Sequence, residues 1–217
     1  MAARFRPWAN SALLVAAASI AIAGAATLVF ALVRMRMPAA SEQGNPLEQP
    51  VAFDHRTHVA EAGIDCRYCH DLVERSAYAG VPPTARCMNC HAQVRNQSPL
   101  LDPVRRSFFG GTPIAWVRVD RLPGFVYFDH SIHLAKGVGC VTCHGRVDQM
   151  ARVFKVEPMT MGWCLDCHRE PEAHLRPPEE VTSMTWSPPE GDLRGERPED
   201  RARPGVRRLT DCSACHR

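Results

Sequence analysis

The sequence predicts a mainly α chain with extensive irregular structure: one N-terminal transmembrane helix, followed by an exterior domain built on a duplicated unit. Three observations predict it. Residues 11–33 form an uncharged apolar run, the pentapeptide Cys-x-x-Cys-His occurs five times, and residues 53–70 recur in altered form at 128–144.

The apolar run, "SALLVAAASIAIAGAATLVFALV", carries no charge until Arg34. As a helix it spans about 33 Å, the thickness of a bilayer's hydrocarbon core, and it exceeds the roughly 7–15 apolar residues of a cleaved signal. A retained membrane anchor is expected over 1–34, then a Pro- and Glu-containing linker over 35–52.

The pentapeptides are Cys66–His70, Cys87–His91, Cys140–His144, Cys164–His168 and Cys212–His216. They consume Cys66, Cys69, Cys87, Cys90, Cys140, Cys143, Cys164, Cys167, Cys212 and Cys215, all ten cysteines of the chain. Two cysteines three positions apart present both sulfurs to one porphyrin edge, and the next histidine reaches the iron, so the pattern reads as covalent haem c attachment. The Cys69–Cys87 and Cys143–Cys164 spacings also suit paired zinc ribbons, but those would strand Cys212 and Cys215 and do not require histidine after every pair. The cofactors expected are therefore five haem c groups, with His70, His91, His144, His168 and His216 as proximal iron ligands.

Five such groups beyond the anchor leave about 35 residues for each, too few for a conventional core, so the porphyrins must supply much of the apolar interior. The formal charge of +3 falls when ferric haems with ionised propionates contribute about −1 each, which speaks against nucleic-acid binding.

The repeat aligns "FDHRTHVAEAGIDCRYCH" (53–70) with "FDHSIHLAKGVGCVTCH" (128–144), each followed by a second pentapeptide. This gives a first two-haem unit over 53–127 and a second over 128–169. In each Phe-Asp-His-x-x-His, histidines three apart share a face of a helical turn yet cannot bind one iron from the same side. His55, His58, His130 and His133 are therefore expected as distal ligands of different haems, and bis-histidine ligation suits electron transfer rather than chemistry at the iron.

Residues 170–217 are expected to run in extended form and carry the fifth haem back to the others. Its sixth ligand must come from upstream. Met184, in "VTSMTW", is the preferred residue; His174, the last unassigned histidine, competes with it, and Met159 and Met161 are further possibilities. No phosphate loop, nucleophile elbow or free cysteine points to catalytic residues.

The anchor, the two FDHxxH units, the "CMNCH" and "MGWCLDCHR" segments and the fifth CxxCH together make the chain resemble the pentahaem cytochrome c subunit (ActA) of bacterial alternative complex III. That resemblance covers nearly the whole chain. It implies electron transfer within a membrane-bound quinol-oxidising complex, partners that include an iron–sulfur subunit, and delivery to a periplasmic electron carrier or oxidase. Haem attachment outside the cytoplasmic membrane would put residues 35–217 on the periplasmic side of the inner membrane, as a multihaem cytochrome c domain on a single-pass anchor. The alternative is a stand-alone NapC/NrfH-type quinol dehydrogenase with a haem beside the membrane, which the 32 residues between Val33 and Cys66 disfavour.

Two measurements check this reading. Haem staining of a denaturing gel with intact mass should give five covalent haems. Near-infrared magnetic circular dichroism should show one His/Met haem, lost in Met184→Ala and kept in His174→Ala; five bis-histidine spectra would select His174 instead.

Overall fold

In a computed structural model, which describes residues 6–188 and 205–216, the first helix, α1, runs over Trp8–Arg36. It is longer than the uncharged run because Trp8 and the arginines Arg34 and Arg36 extend it at both ends. None of its residues is buried by protein, and at a mean hydropathy of 2.3 it is long and apolar enough to cross a membrane. Within the span the Thr27 hydroxyl donates back to the carbonyl of Ala23 at 2.8 Å, which satisfies that donor inside the helix. The anchor and a short 3₁₀ turn, Pro38–Ser41, form one unit, Met1–Gln43.

The second unit, Gly44–Arg217, holds α2 (Cys66–Cys69), α3 (Thr84–His91), α4 (Asp102–Gly110), α5 (His130–Ala135), α6 (Cys140–His144), α7 (Met161–Arg169) and α8 (Cys212–Cys215). Between them lie 3₁₀ turns, a π-type turn at Thr57–Glu61, and irregular backbone. Among the described residues there is no strand, only two isolated bridges, Val126 with His216 and Val138 with Leu175. The architecture is thus mainly helical and irregular, with one apolar N-terminal helix and two halves built on the same motif.

Four of these helices, α2, α5, α6 and α8, have six residues or fewer, and side-chain caps fix where several of them begin. Asp65 caps α2 and Asp129 caps α5 through carboxylates that accept main-chain N–H groups, and Thr160 caps α7 with its hydroxyl. After α6 the chain leaves at Gly145, at φ 64° and ψ −162°, where a β-carbon would meet Val156.

Hydrophobic burial is thin. Among the described residues only Val51, Val73, Val104, Leu134, Met150 and Val181 are buried apolar side chains. Val73, Leu134 and Val181 form one cluster, against which Cys140 packs.

The linker expected over 35–52 is not loose throughout. Gly44 donates its N–H to the Lys155 carbonyl at 2.9 Å, and Gln49 exchanges two hydrogen bonds with the main chain of Val117. Likewise, residues 175–186 of the C-terminal segment dock onto the second half. The Cys140 N–H donates to the Val181 carbonyl at 2.9 Å, the Arg176 N–H to the Gly137 carbonyl at 2.9 Å, and the buried Arg176 guanidinium to the Ser183 carbonyl at 2.8 Å. Gly139 is required there, since a β-carbon would run into that guanidinium. Residues 189–204, part of the segment expected to be extended, lie outside the described residues.

Candidate haem centres

Each letter of Phe-Asp-His-x-x-His has a structural task, and the two copies perform it alike. The Phe53 ring lies edge-on to His55 at 4.7 Å and stacks on His58 at 4.4 Å; Phe128 lies edge-on to His130 at 4.7 Å and stacks on His133 at 4.7 Å. Asp54 accepts from the Arg56 N–H at 2.8 Å, Asp129 from the Ser131 N–H at 2.8 Å, and these caps begin the turn that carries the second histidine. The main-chain carbonyl of the same aspartate then accepts from that histidine's Nδ1, at 2.7 Å for both His58 and His133. Sequence reading found the histidines but not these supports, although Phe and Asp recur in both copies.

Four more rings are fixed in the same way. His70 Nδ1 donates to the Gly80 carbonyl at 2.7 Å, His91 to the Val94 carbonyl at 2.9 Å, His130 to the Ala77 carbonyl at 2.9 Å, and His144 to the Asp120 carboxylate at 2.9 Å. An oxygen acceptor forces the proton onto Nδ1 and leaves Nε2 as the free lone pair, the arrangement of a metal-bound imidazole. Burial, with the charges of His70 and His58, holds His55 down to about 4; burial also lowers His130 and His168. These rings are therefore neutral, the form that ligates iron.

The rings also oppose one another in pairs. Ring centroids are 6.0 Å apart for His58 and His91, 6.1 Å for His133 and His168, and 6.4 Å for His130 and His144. His55 has His70 as its strongest charged neighbour, the equivalent pairing in the first half. A metal held by two imidazoles through bonds of about 2.0–2.1 Å puts their centroids roughly 6.3 Å apart, so three of these gaps are the width of one axially ligated iron. The first histidine of each FDHxxH faces the nearer pentapeptide and the second faces the farther one.

The ten cysteines lie on α2, α3, α6, α7 and α8, and none is joined to another in a disulfide. Among the described residues no three cysteine, histidine or acidic side chains converge as zinc ligands would. The thiols succeed one another through the fold: Cys87 and Cys90 are electrostatic neighbours of Cys69, Cys66 shares a hydrogen bond with Cys140, Cys143 neighbours Cys164 and Cys167, and Cys164 neighbours Cys215. Burial pushes the Cys143 thiol up to about 12 and also raises Cys69, Cys87, Cys164 and Cys167. With free Nε2 atoms, iron-width gaps and little other core, the residues present fit haem c.

The fifth pentapeptide docks on the segment before the second FDHxxH. Tyr127 N–H donates to the Cys215 carbonyl at 2.7 Å, and the His216 ring lies 5.8 Å from Phe125. Of the residues expected to complete its iron, exposed His174 sits on the turn Pro171–His174, whose Glu172 pairs with Arg208 at 3.8 Å, just before α8. Part-buried Met184 lies on the segment held to α6 by Val181 and to Asp65 by the Thr182 hydroxyl at 3.1 Å. Met159, at φ 50°, and Met161, exposed, lead into α7.

Two families match the chain. Residues 32–101 match the class III cytochrome c family, and residues 126–217 match the family of cytochrome c7 and related cytochromes c. This is a multihaem c-type cytochrome. Covalently bound haem c and a role in electron transfer follow from that assignment. Among curated relatives, a protein of Nitratidesulfovibrio vulgaris described as "Menaquinone reductase, multiheme cytochrome c subunit" is 36% identical over 102 residues. The match spans 45% of this cytochrome and 46% of that relative, so the chain covers about half the relative's length.

The opposed pairs predict that His55→Ala and His58→Ala each convert one haem to high spin, and that the double variant converts two. Electronic and EPR spectra of the purified variants check this; one high-spin haem in the double variant would place both histidines at a single iron.

Proposed function

We propose that this cytochrome is the pentahaem electron-transfer subunit of a membrane-bound quinol-oxidising complex of the alternative complex III type. The observation that carries the reading is the set of opposed histidine pairs, joined to attachment cysteines that succeed one another without a break. Haem c bound at these sites supplies reversible one-electron Fe(III)/Fe(II) exchange.

The chain's own residues hold the spacing. Ten cysteines fix five attachment points, and His70, His91, His144, His168 and His216 serve as proximal ligands. His55, His58, His130 and His133 would hold the iron of the first, second, third and fourth sites respectively from the side opposite those ligands. A closed sixth position excludes substrate from the iron, so the subunit relays electrons rather than acting on the quinol. At the fifth site the Glu172–Arg208 pair ties the turn that carries His174 to the segment before α8, which keeps His174 in competition with Met184.

The neighbouring cysteines support an order of sites second, first, third, fourth, fifth, with the second and fifth as the two ends. Cys90 and Cys212, one at each end, are the exposed attachment cysteines. Partners thus meet the subunit at its ends: an iron–sulfur subunit at one, a periplasmic carrier or oxidase at the other. The apolar helix α1 serves as a single-pass anchor with the cytochrome domain on the periplasmic side.

The relative's description favours a second reading, in which the same wire runs toward menaquinone in a quinone-reducing complex. Extraction in mild detergent decides. The subunit should comigrate with partner subunits, and added quinol should reduce its haems in the complex but not in the isolated chain. Reduction of menaquinone by the complex without quinol oxidation would select the second reading, and quinol oxidation by the lone subunit would overturn both.

A further inference from the structure

The two halves differ in the acceptor met by the first pentapeptide histidine. In the first half His70 Nδ1 donates to a neutral main-chain carbonyl, that of Gly80, at 2.7 Å. In the second half its equivalent, His144, donates to the Asp120 carboxylate at 2.9 Å. Asp120 belongs to neither repeated motif and lies on an irregular segment upstream of the second FDHxxH. Its side chain is 23% exposed, and its other oxygen, Oδ1, is buried without a hydrogen-bond partner. The two nearby arginines are engaged elsewhere. Arg118 lies over the Tyr78 ring at 5.2 Å, and Arg121 Nε donates to the Arg118 carbonyl at 3.1 Å. The carboxylate is thus directed at His144.

We propose that Asp120 is a positioning residue that acts through His144 to hold the third haem at a lower reduction potential than the first. The inference rests on His144 being an axial ligand, as proposed above. A carboxylate acceptor draws on the Nδ1 proton more strongly than a carbonyl does and makes Nε2 a better donor. Ferric iron, with one more positive charge than ferrous, gains more from both the stronger donor and the nearby negative charge, and a partly buried site screens that charge less than water does. The step concerned is one electron added to or removed from one iron; the proton stays on Nδ1. Because Cys66 and Cys140 adjoin, the first and third sites are neighbours at the junction of the halves, and Asp120 sets an energetic step between them.

The test uses the full chain with its haems and partners, titrated spectroelectrochemically with EPR detection. Asp120→Asn keeps an oxygen acceptor and removes the charge. It should raise one midpoint by about 59 mV, a tenfold change in that haem's reduced-to-oxidised ratio, and leave four unmoved with five low-spin haems retained. Asp120→Glu should restore the wild-type value. Five unmoved midpoints in Asp120→Asn overturn the proposal, as does an equal shift in Asp120→Glu. Failure of Asp120→Asn to acquire five haems while Asp120→Glu acquires them also overturns it, by assigning the carboxylate to folding. The ligand reading fails separately, if His144→Ala keeps five low-spin haems.

Discussion

The hydrogen bond at histidine Nδ1 is the interaction on which the rest of this structure depends. An imidazole on a short turn swings freely about χ1 and χ2 unless its second nitrogen is held, and six rings here are held by oxygen at 2.7–2.9 Å. Each bond fixes the tautomer and the ring direction together, so Nε2 faces into a gap of fixed width. Four of the acceptors are main-chain carbonyls in turns just beside the ring or close by in sequence, those of Asp54, Gly80, Val94 and Asp129. The Asp129 carbonyl also accepts the His133 N–H at 3.4 Å, so there the ring bond is added to a helical one.

The thin apolar core follows from the same design. Six buried apolar side chains cannot by themselves offset the ordering of so much irregular chain. Polar links carry part of the load. Arg86 pairs with Asp71 at 3.0 Å and Asn89 bonds the Tyr68 hydroxyl at 3.1 Å, joining the first and second attachment segments. His130 on Ala77 and Thr182 on Asp65 join one half to the other. Covalent haem c would add to this, because each paired-cysteine segment would be tied to one porphyrin by two thioethers. The porphyrins' apolar faces would supply the interior that the side chains lack.

Duplication gives the molecule its regularity, and departures from it give each site its own properties. Phe53 and Phe128, Asp54 and Asp129 hold their histidines with nearly the same distances and angles. The linkages around the first histidine of each motif differ: His130 donates to Ala77, whereas His55 Nδ1 is buried without a partner.

The sequence by itself determined what binds and where it is tied. Cysteine spacing and the following histidine are local covalent chemistry, and the FDHxxH repeat and the apolar helix are periodic signals within a few turns of chain, so all were legible from residues 11–33, 53–70 and 128–144. Only the tertiary structure decided which histidine faces which, since pairing His58 with His91 joins segments 33 residues apart. It likewise placed Asp120 on His144, brought Cys66 to Cys140, and docked residues 175–186 on α6 although their composition reads as a loose linker. The physical reason is common to these cases. A hydrogen bond to a distant carboxylate or main-chain carbonyl leaves no periodic trace in a sequence, because nearly every residue carries a carbonyl and only the fold selects which one a ring meets.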